Sequence, residues 1–196
     1  MRWVVMYNTG VKQATGCAFM DHTEMVELIR AGVGGPGGTW ADFGAGTGNF
    51  TWALAALLGP TATIYALDRD GKAIARQREL LAQATRPSVT VVPQQADITQ
   101  RITLPLLDGV LMANVLHFVR DQPGALALAV SYLRPGGRLL LVEYDLAAPL
   151  RYVPYPVPFE RFAALAVQAG CHSPVRVGQR VSPSSGIVMY AAEARR

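Results

Sequence analysis

Apolar residues fall along this chain in two alternating rhythms. Short unbroken apolar runs read as strands buried on both faces, and longer segments with apolar residues three and four apart read as helices. Trp40–Phe43 is the first such strand, and Asn49–Leu58 follows at helical spacing up to a Gly59-Pro60 stop. Ala62–Leu67 is a second strand, with a helix over Lys72–Ala84 that Arg86-Pro87 ends. Val89–Val92 and Leu106–Asn114 are a third and a fourth strand. Gly124–Leu133 reads as an apolar helix, closed by the sharp turn Leu133-Arg134-Pro135-Gly136-Gly137-Arg138, and Leu139–Tyr144 as a fifth strand. After a proline-rich connector, Ala147 to Pro158, comes a helix over Phe159–Ala169, with Pro158 at its first turn and Gly170 as C-cap. Pro174–Val181 and Gly186–Ala192, joined by the polar SPSS turn, form a closing hairpin. Strand and helix in repeated alternation predict an α/β domain with a mainly parallel sheet.

Residues 1–38 precede that sheet. Thr23–Ile29 looks helical, with Asp21 or Thr23 as N-cap, and Ala31–Gly38 reads as a flexible connector. The expected organisation is an N-terminal helical segment and linker over 1–38 and one α/β domain over 39–196.

Chemistry concentrates where strand gives way to helix. Gly44-Ala45-Gly46-Thr47-Gly48 lies between the first strand and its helix. Glycines there permit positive φ and close approach of a ligand, and the first helical turn offers free N–H groups. A dinucleotide fingerprint asks for G-x-G-x-x-G/A, and here its third small position is Asn49. Asp68, 24 residues beyond Gly44, ends the second strand, where a carboxylate can accept both hydroxyls of a ribose. Asp70 is better placed to cap the next helix. Asp97 follows the third strand between Ala96 and Ile98. His117, just past the fourth strand, is a candidate base or a loop-orienting group.

The run D-x-G-x-G-x-G from Asp42 to Gly48 resembles motif I of the class I S-adenosylmethionine-dependent methyltransferases. DGVLMANVLHFV and LRPGGRLLLVEYD are similar to the fourth-strand motif and the following helix-turn-strand of the small-molecule enzymes of that family, notably the ubiquinone/menaquinone C-methyltransferase type. The resemblance covers roughly Thr39 to Ala192. It implies a Rossmann-like doubly wound seven-stranded sheet of order 3-2-1-4-5-7-6, strand seven antiparallel. It implies S-adenosylmethionine as cofactor and S-adenosylhomocysteine as product, with Gly44, Ala45, Gly46 and Gly48 under the methionine end and Asp42 near its amino group. Asp68, with Arg69 beside it, would hold the ribose, while Ala96, Asp97 and Ile98 would hold the adenine. Asn114 would line the methyl-transfer face, with His117 as the other catalytic candidate. A segment before the sheet often closes as a lid in this family, which makes Phe19, Met20, Asp21 and His22 candidates for the roof. Tyr144, Asp145, Tyr152 and Tyr155, at or near the carboxyl end of the fifth strand, are candidates for the acceptor side, and among them Tyr144, Tyr152 and Tyr155 join His22 as substrate-binding candidates.

Composition narrows the field. The net charge is +4, carried by sixteen Arg and two Lys with no basic block, so nucleic acid is a disfavoured partner. No charge-free apolar run reaches the roughly 18–20 residues of a membrane helix. Cys17 and Cys171 show no metal-ligand spacing and read as free thiols of a cytoplasmic protein. The N/D-P-P-Y/F signature of exocyclic-amine methylation is absent, since Val-Leu-His follows Asn114. The expectation is an enzyme, monomer or homodimer, that methylates a small or medium organic acceptor. A non-catalytic S-adenosylmethionine-binding protein, an RNA or protein methyltransferase and an NAD-dependent oxidoreductase stand as alternatives.

Overall fold

The computed structural model describes residues 20–83, 89–182 and 186–196. The elements are α1 (His22–Val33), β1 (Thr39–Phe43), α2 (Asn49–Leu58), β2 (Thr63–Asp68), α3 (Gly71–Gln83), β3 (Thr90–Gln95), β4 (Leu107–Ala113), a 3-10 turn (Leu116–Phe118), α4 (Gln122–Ser131), β5 (Leu133–Tyr144), α5 (Phe159–Gln168), β6 (His172–Val181) and β7 (Val188–Arg195). The seven strands form one sheet in the order β3-β2-β1-β4-β5-β7-β6. β3, β2, β1, β4 and β5 pair in parallel, and β7 is antiparallel to both β5 and β6. The expected fold class is the observed one.

Each central strand is buried on both faces, so its two-residue alternation feeds two cores. Trp40, Leu111, Leu140 and Val142 pack with α1 and α2 on one face, while Phe43, Met112, Leu139 and Leu141 pack with α4 and α5 on the other. This placement explains why the strands read as unbroken apolar runs.

Several boundaries differ from those expected. α1 continues through Ala31, Gly32 and Val33 and stops at Gly34, which takes the left-handed conformation of a C-terminal cap. The connector is therefore shorter than the glycine pattern suggested. Asp21 is the N-cap, in a reciprocal capping box with Glu24. Glu24 also receives Arg180 of β6 through both carboxylate oxygens, at 2.9 and 3.0 Å, which ties the start of α1 to the sheet. β3 runs on past Val92 through Pro93, tolerated because this is an edge strand with β2 as its one neighbour. α4 begins at Gln122, earlier than Gly124, because Asp121 caps it by accepting from the Gly124 N–H at 3.0 Å. The Pro-Gly-Gly turn lies inside β5. Leu107 pairs with Leu133 and Gly109 with Arg138, so residues 134–137 bulge from a strand that starts at Leu133. β6 likewise starts at His172, with irregular register near Val175 and Gly178. Phe19, Cys17, the end of the Lys72–Ala84 helix and most of the SPSS turn lie outside the described residues; Cys171 is a free, buried thiol.

Candidate active site

The parallel strands all deliver their carboxyl ends to one edge of the sheet, and seven of the residues singled out in the sequence meet there. Gly44, Asp68, Arg69, Ala96, Asp97, Ile98 and Asn114 line one cavity of ≈ 690 Å³, which Phe118, Arg120, Asp121 and Gly124 extend toward α4. Four strand ends supply it, those of β1, β2, β3 and β4.

The glycine loop is pinned to β2, because the N–H groups of Gly44 and Ala45 both donate to the Leu67 carbonyl, at 2.8 and 2.9 Å. All three glycines have positive φ, for separate reasons. A Cβ on Gly44 would collide with the side chain of Val115, and one on Gly48 would stand 2.8 Å from Trp52 Nε1. A Cβ on Gly46 would meet nothing within 4 Å. Gly46 therefore presents the open face of the loop, whereas Gly44 and Gly48 are small to admit protein neighbours.

Asp42 is buried on β1 under this loop, 1% exposed. Thr51 Oγ1 donates to its Oδ2 at 2.6 Å, and its Oδ1 is sealed without a partner. Burial pushes the carboxyl up to about 7; the Thr51 hydroxyl opposes this shift and the nearby Asp68 charge adds to it. Asp68 accepts from the Gly46 N–H and from the Asp70 N–H, both at 2.8 Å, and Asp70 in turn caps α3 at the Lys72 N–H. Asp97 turns its own loop: its Oδ1 accepts from the hydroxyl of Thr99 at 2.7 Å and from its N–H at 2.9 Å. Those bonds, with Arg69 nearby, hold its carboxyl below the usual carboxylate range. Asn114 leaves β4 at a φ of 53°, and its Oδ1 is a second sealed, unpartnered oxygen.

The remaining candidates sit elsewhere. His117 is 2% exposed and is not part of the cavity lining; its Nδ1 lies 2.6 Å from Glu143 Oε2. Tyr144 stands 6.1 Å from both the His117 ring and the Tyr152 ring, centroid to centroid. Tyr155 lines a separate cleft among Ala147, Pro149, Pro154, Pro156 and Arg161. Asp145 is engaged by Arg176 at 2.8 Å. His22 is the exposed first residue of α1, and Met20 packs against the core on the α1–α2 face. Among the described residues no three metal-binding side chains come together. None of their helices is long and apolar enough to cross a membrane.

Three residues were missed in the sequence, two of them with weak signals. Gln77 of α3 is fully buried and donates from Nε2 to the Gly46 carbonyl at 2.7 Å. Thr51 holds Asp42, and neither polar residue stands out in its helix. Glu143 had a readable signal, a lone acid inside the apolar run LLLVEY.

A parallel sheet with this switch in strand order, a glycine loop after β1 and acids after β2 and β3 defines a nucleoside-binding α/β domain. A family model described as "Methyltransferase domain" matches residues 41–139. The chain belongs to the class I S-adenosylmethionine-dependent methyltransferases. It is 32% identical over 113 residues to the ubiquinone/menaquinone biosynthesis C-methyltransferase UbiE of Ectopseudomonas mendocina, a match covering 56% of this chain and 43% of that protein. The chain spans less than half the length of the curated relatives it matches. Its fold is similar to that of an arsenic(III) S-adenosylmethionine methyltransferase from Chlamydomonas reinhardtii, with a TM-score of 0.67, 19% identity and coverage of 92% of this chain and 66% of that one. It is also similar to the 1,6-didemethyltoxoflavin-N1-methyltransferase of Burkholderia thailandensis, crystallised with bound 1,6-didemethyltoxoflavin and S-adenosylhomocysteine, with a TM-score of 0.67, 20% identity and coverage of 89% of this chain and 77% of that one.

Proposed function

We propose that this protein transfers the methyl group of S-adenosylmethionine to a small or medium organic acceptor. The observation that carries the reading is the meeting, in one cavity, of residues from four strand ends that each suit a different part of the cofactor. The residues present fit that group. Gly46 leaves open space over the loop, and Asp42 Oδ1 and Asn114 Oδ1 are sealed acceptors with no partner of their own. A buried acceptor left unpaired costs about 1–3 kcal/mol, so both oxygens favour a donor such as an ammonium group.

In this assignment the glycine loop receives the methionine end, and Asp42 and Asn114 accept from its amino group. Asp68 keeps lone pairs for the ribose hydroxyls beyond the two N–H groups it already holds. Asp97 turns its free Oδ2 to the adenine amine, and Ala96 and Ile98 flank the base. The cofactor, when bound, supplies a methyl group on a sulfonium, an electrophile that needs no metal. The protein's own contribution is placement, holding the acceptor in line with the methyl–sulfur bond and excluding water.

The test is calorimetric titration with S-adenosylmethionine, S-adenosylhomocysteine and NAD, repeated on Asp68→Ala. Binding of the two methionine-derived ligands, weakened at least tenfold in the variant and absent for NAD, is the expected result. Binding of NAD alone would overturn the assignment.

A further inference from the structure

The half of the cavity nearest α4 lies beyond the residues assigned to the cofactor, and Phe118 and Arg120 line it. Val119 between them has extended backbone, φ −93° and ψ 123°, which sets the two side chains on one side of the chain. Phe118, 55% exposed, offers an apolar ring to this space. Arg120 is exposed, and among the described residues no acid or carbonyl engages it. Most arginines elsewhere are spent: Arg134 on Asp108, Arg138 on Glu193, Arg176 on Asp145 and Arg180 on Glu24. The acids of the cavity do not answer Arg120 either. Asp68 and Asp97 serve their own loops and the cofactor. Asp121, its neighbour in the chain, is folded over the start of α4. There its Oδ1 accepts the Gly124 N–H at 3.0 Å, and a Cβ on Gly124 would collide with its Oδ2.

An uncommitted guanidinium on a cavity wall suits an oxyanion, which it can grip through two parallel N–H bonds. The cofactor does not supply that anion here, because its one carboxylate belongs to the methionine end at the glycine loop, and its sulfonium and ammonium groups are cations. We propose that Arg120 and Phe118 are specificity-determining residues for the acceptor, and that the acceptor is an organic anion. Its carboxylate or other oxyanion pairs with the guanidinium, and a planar apolar body lies on the Phe118 ring. The proposal rests on the methyltransferase reading of the cavity and names the class of acceptor that the cavity takes. Arg120 is open to water, so the pair gives about a fivefold to tenfold preference for the charged ligand, one that weakens as salt is added.

The experiment is calorimetric titration of the full chain, saturated with S-adenosylhomocysteine at low ionic strength, with three probes. Naphthoate is planar and anionic, naphthamide planar and neutral, and hexanoate anionic without a ring. Wild type is expected to bind naphthoate about fivefold to tenfold more tightly than naphthamide, and more tightly than hexanoate. Arg120→Gln should abolish the first preference and leave the affinity for S-adenosylhomocysteine unchanged, and Phe118→Ala should abolish the second. Arg151→Gln removes an exposed arginine outside the cavity lining and should keep both preferences, which controls for the general loss of positive charge. Equal affinity of wild type for naphthoate and naphthamide, or no binding of naphthoate, overturns the proposal, and this needs no variant to fold. A preference that persists in Arg120→Gln overturns it as well. So does a tenfold loss of S-adenosylhomocysteine affinity in that variant, which would assign the guanidinium to the cofactor. Failure of wild type to bind S-adenosylhomocysteine at all would instead remove the cofactor assignment, so the two failures are separable.

Discussion

Gln77 Nε2 donates to the carbonyl of Gly46 at 2.7 Å, so a side chain of α3 holds the loop that follows β1. The N–H of the same glycine donates to Asp68 at 2.8 Å, and the residue is anchored on both sides. Gln77→Leu keeps the volume near constant but frees the carbonyl. The expected result is a loss of about 1–2 kcal/mol in stability and a roughly tenfold weaker affinity for S-adenosylhomocysteine. Calorimetry and thermal melting read the two separately. Unchanged ligand affinity would show that the loop keeps its shape without the anchor.

The glycines of the loop separate fold from ligand. Gly44→Ala places a methyl group against Val115 at a φ of 80°, and a loss of about 2–4 kcal/mol is expected. Gly46→Ala meets no protein atom, so it costs only about 1 kcal/mol of backbone strain while obstructing the ligand face. Melting temperature should fall mainly in the first variant. Affinity for S-adenosylhomocysteine should fall mainly in the second.

Asp42 makes stability depend on pH in an unusual sense. Its carboxyl is raised from 3.8 to about 7, so the folded protein keeps a proton that the unfolded chain releases. The stabilisation is complete below about pH 4 and is lost as pH rises through about 7, with a ceiling of about 4 kcal/mol. Chemical denaturation of the ligand-free protein should show stability falling between about pH 4 and 7, and Asp42→Asn should flatten that slope. An equal slope in the variant would place the titration elsewhere. Because the ionised carboxylate suits an ammonium partner, S-adenosylhomocysteine should bind more tightly, with proton release, across the same rise in pH.

The Tyr190 hydroxyl donates to the Val157 carbonyl at 2.6 Å, fastening the end of the proline-rich connector to β7. Burial and the neighbouring carboxylates push its ionisation above the usual phenol range. Tyr190→Phe leaves that carbonyl unpaired and should cost about 1–3 kcal/mol, with cofactor affinity unaffected. A denaturation curve superimposable on wild type would contradict it.

Much of the cavity was legible before any coordinates. Gly44, Asp68, Asp97 and Asn114 all follow or end strands whose apolar runs are unmistakable, and a parallel sheet collects such positions along one edge. His117 and Tyr155 were legible as chemistry but not in place. Whether a polar residue after a strand faces the cavity or the sheet interior depends on one turn of backbone, and the sequence pattern carries no signal of that turn. Glu143 shows the same limit from the other side. An acid in an apolar strand announces a buried partner without saying which.

Local pattern determined the elements, their order and the residues at the strand ends, because burial on both faces forces apolar runs and chain reversal forces glycine, proline and short polar residues. Tertiary structure decided which groups are spent on the protein itself. Asp68 is shared with the Gly46 N–H, His117 is committed to Glu143, and Asp42 and Asn114 keep an oxygen unpaired. The physical reason is that hydrogen-bond satisfaction is set by distances between segments far apart in the chain, such as the 31 residues from Gly46 to Gln77. Those distances exist only once the two cores have packed.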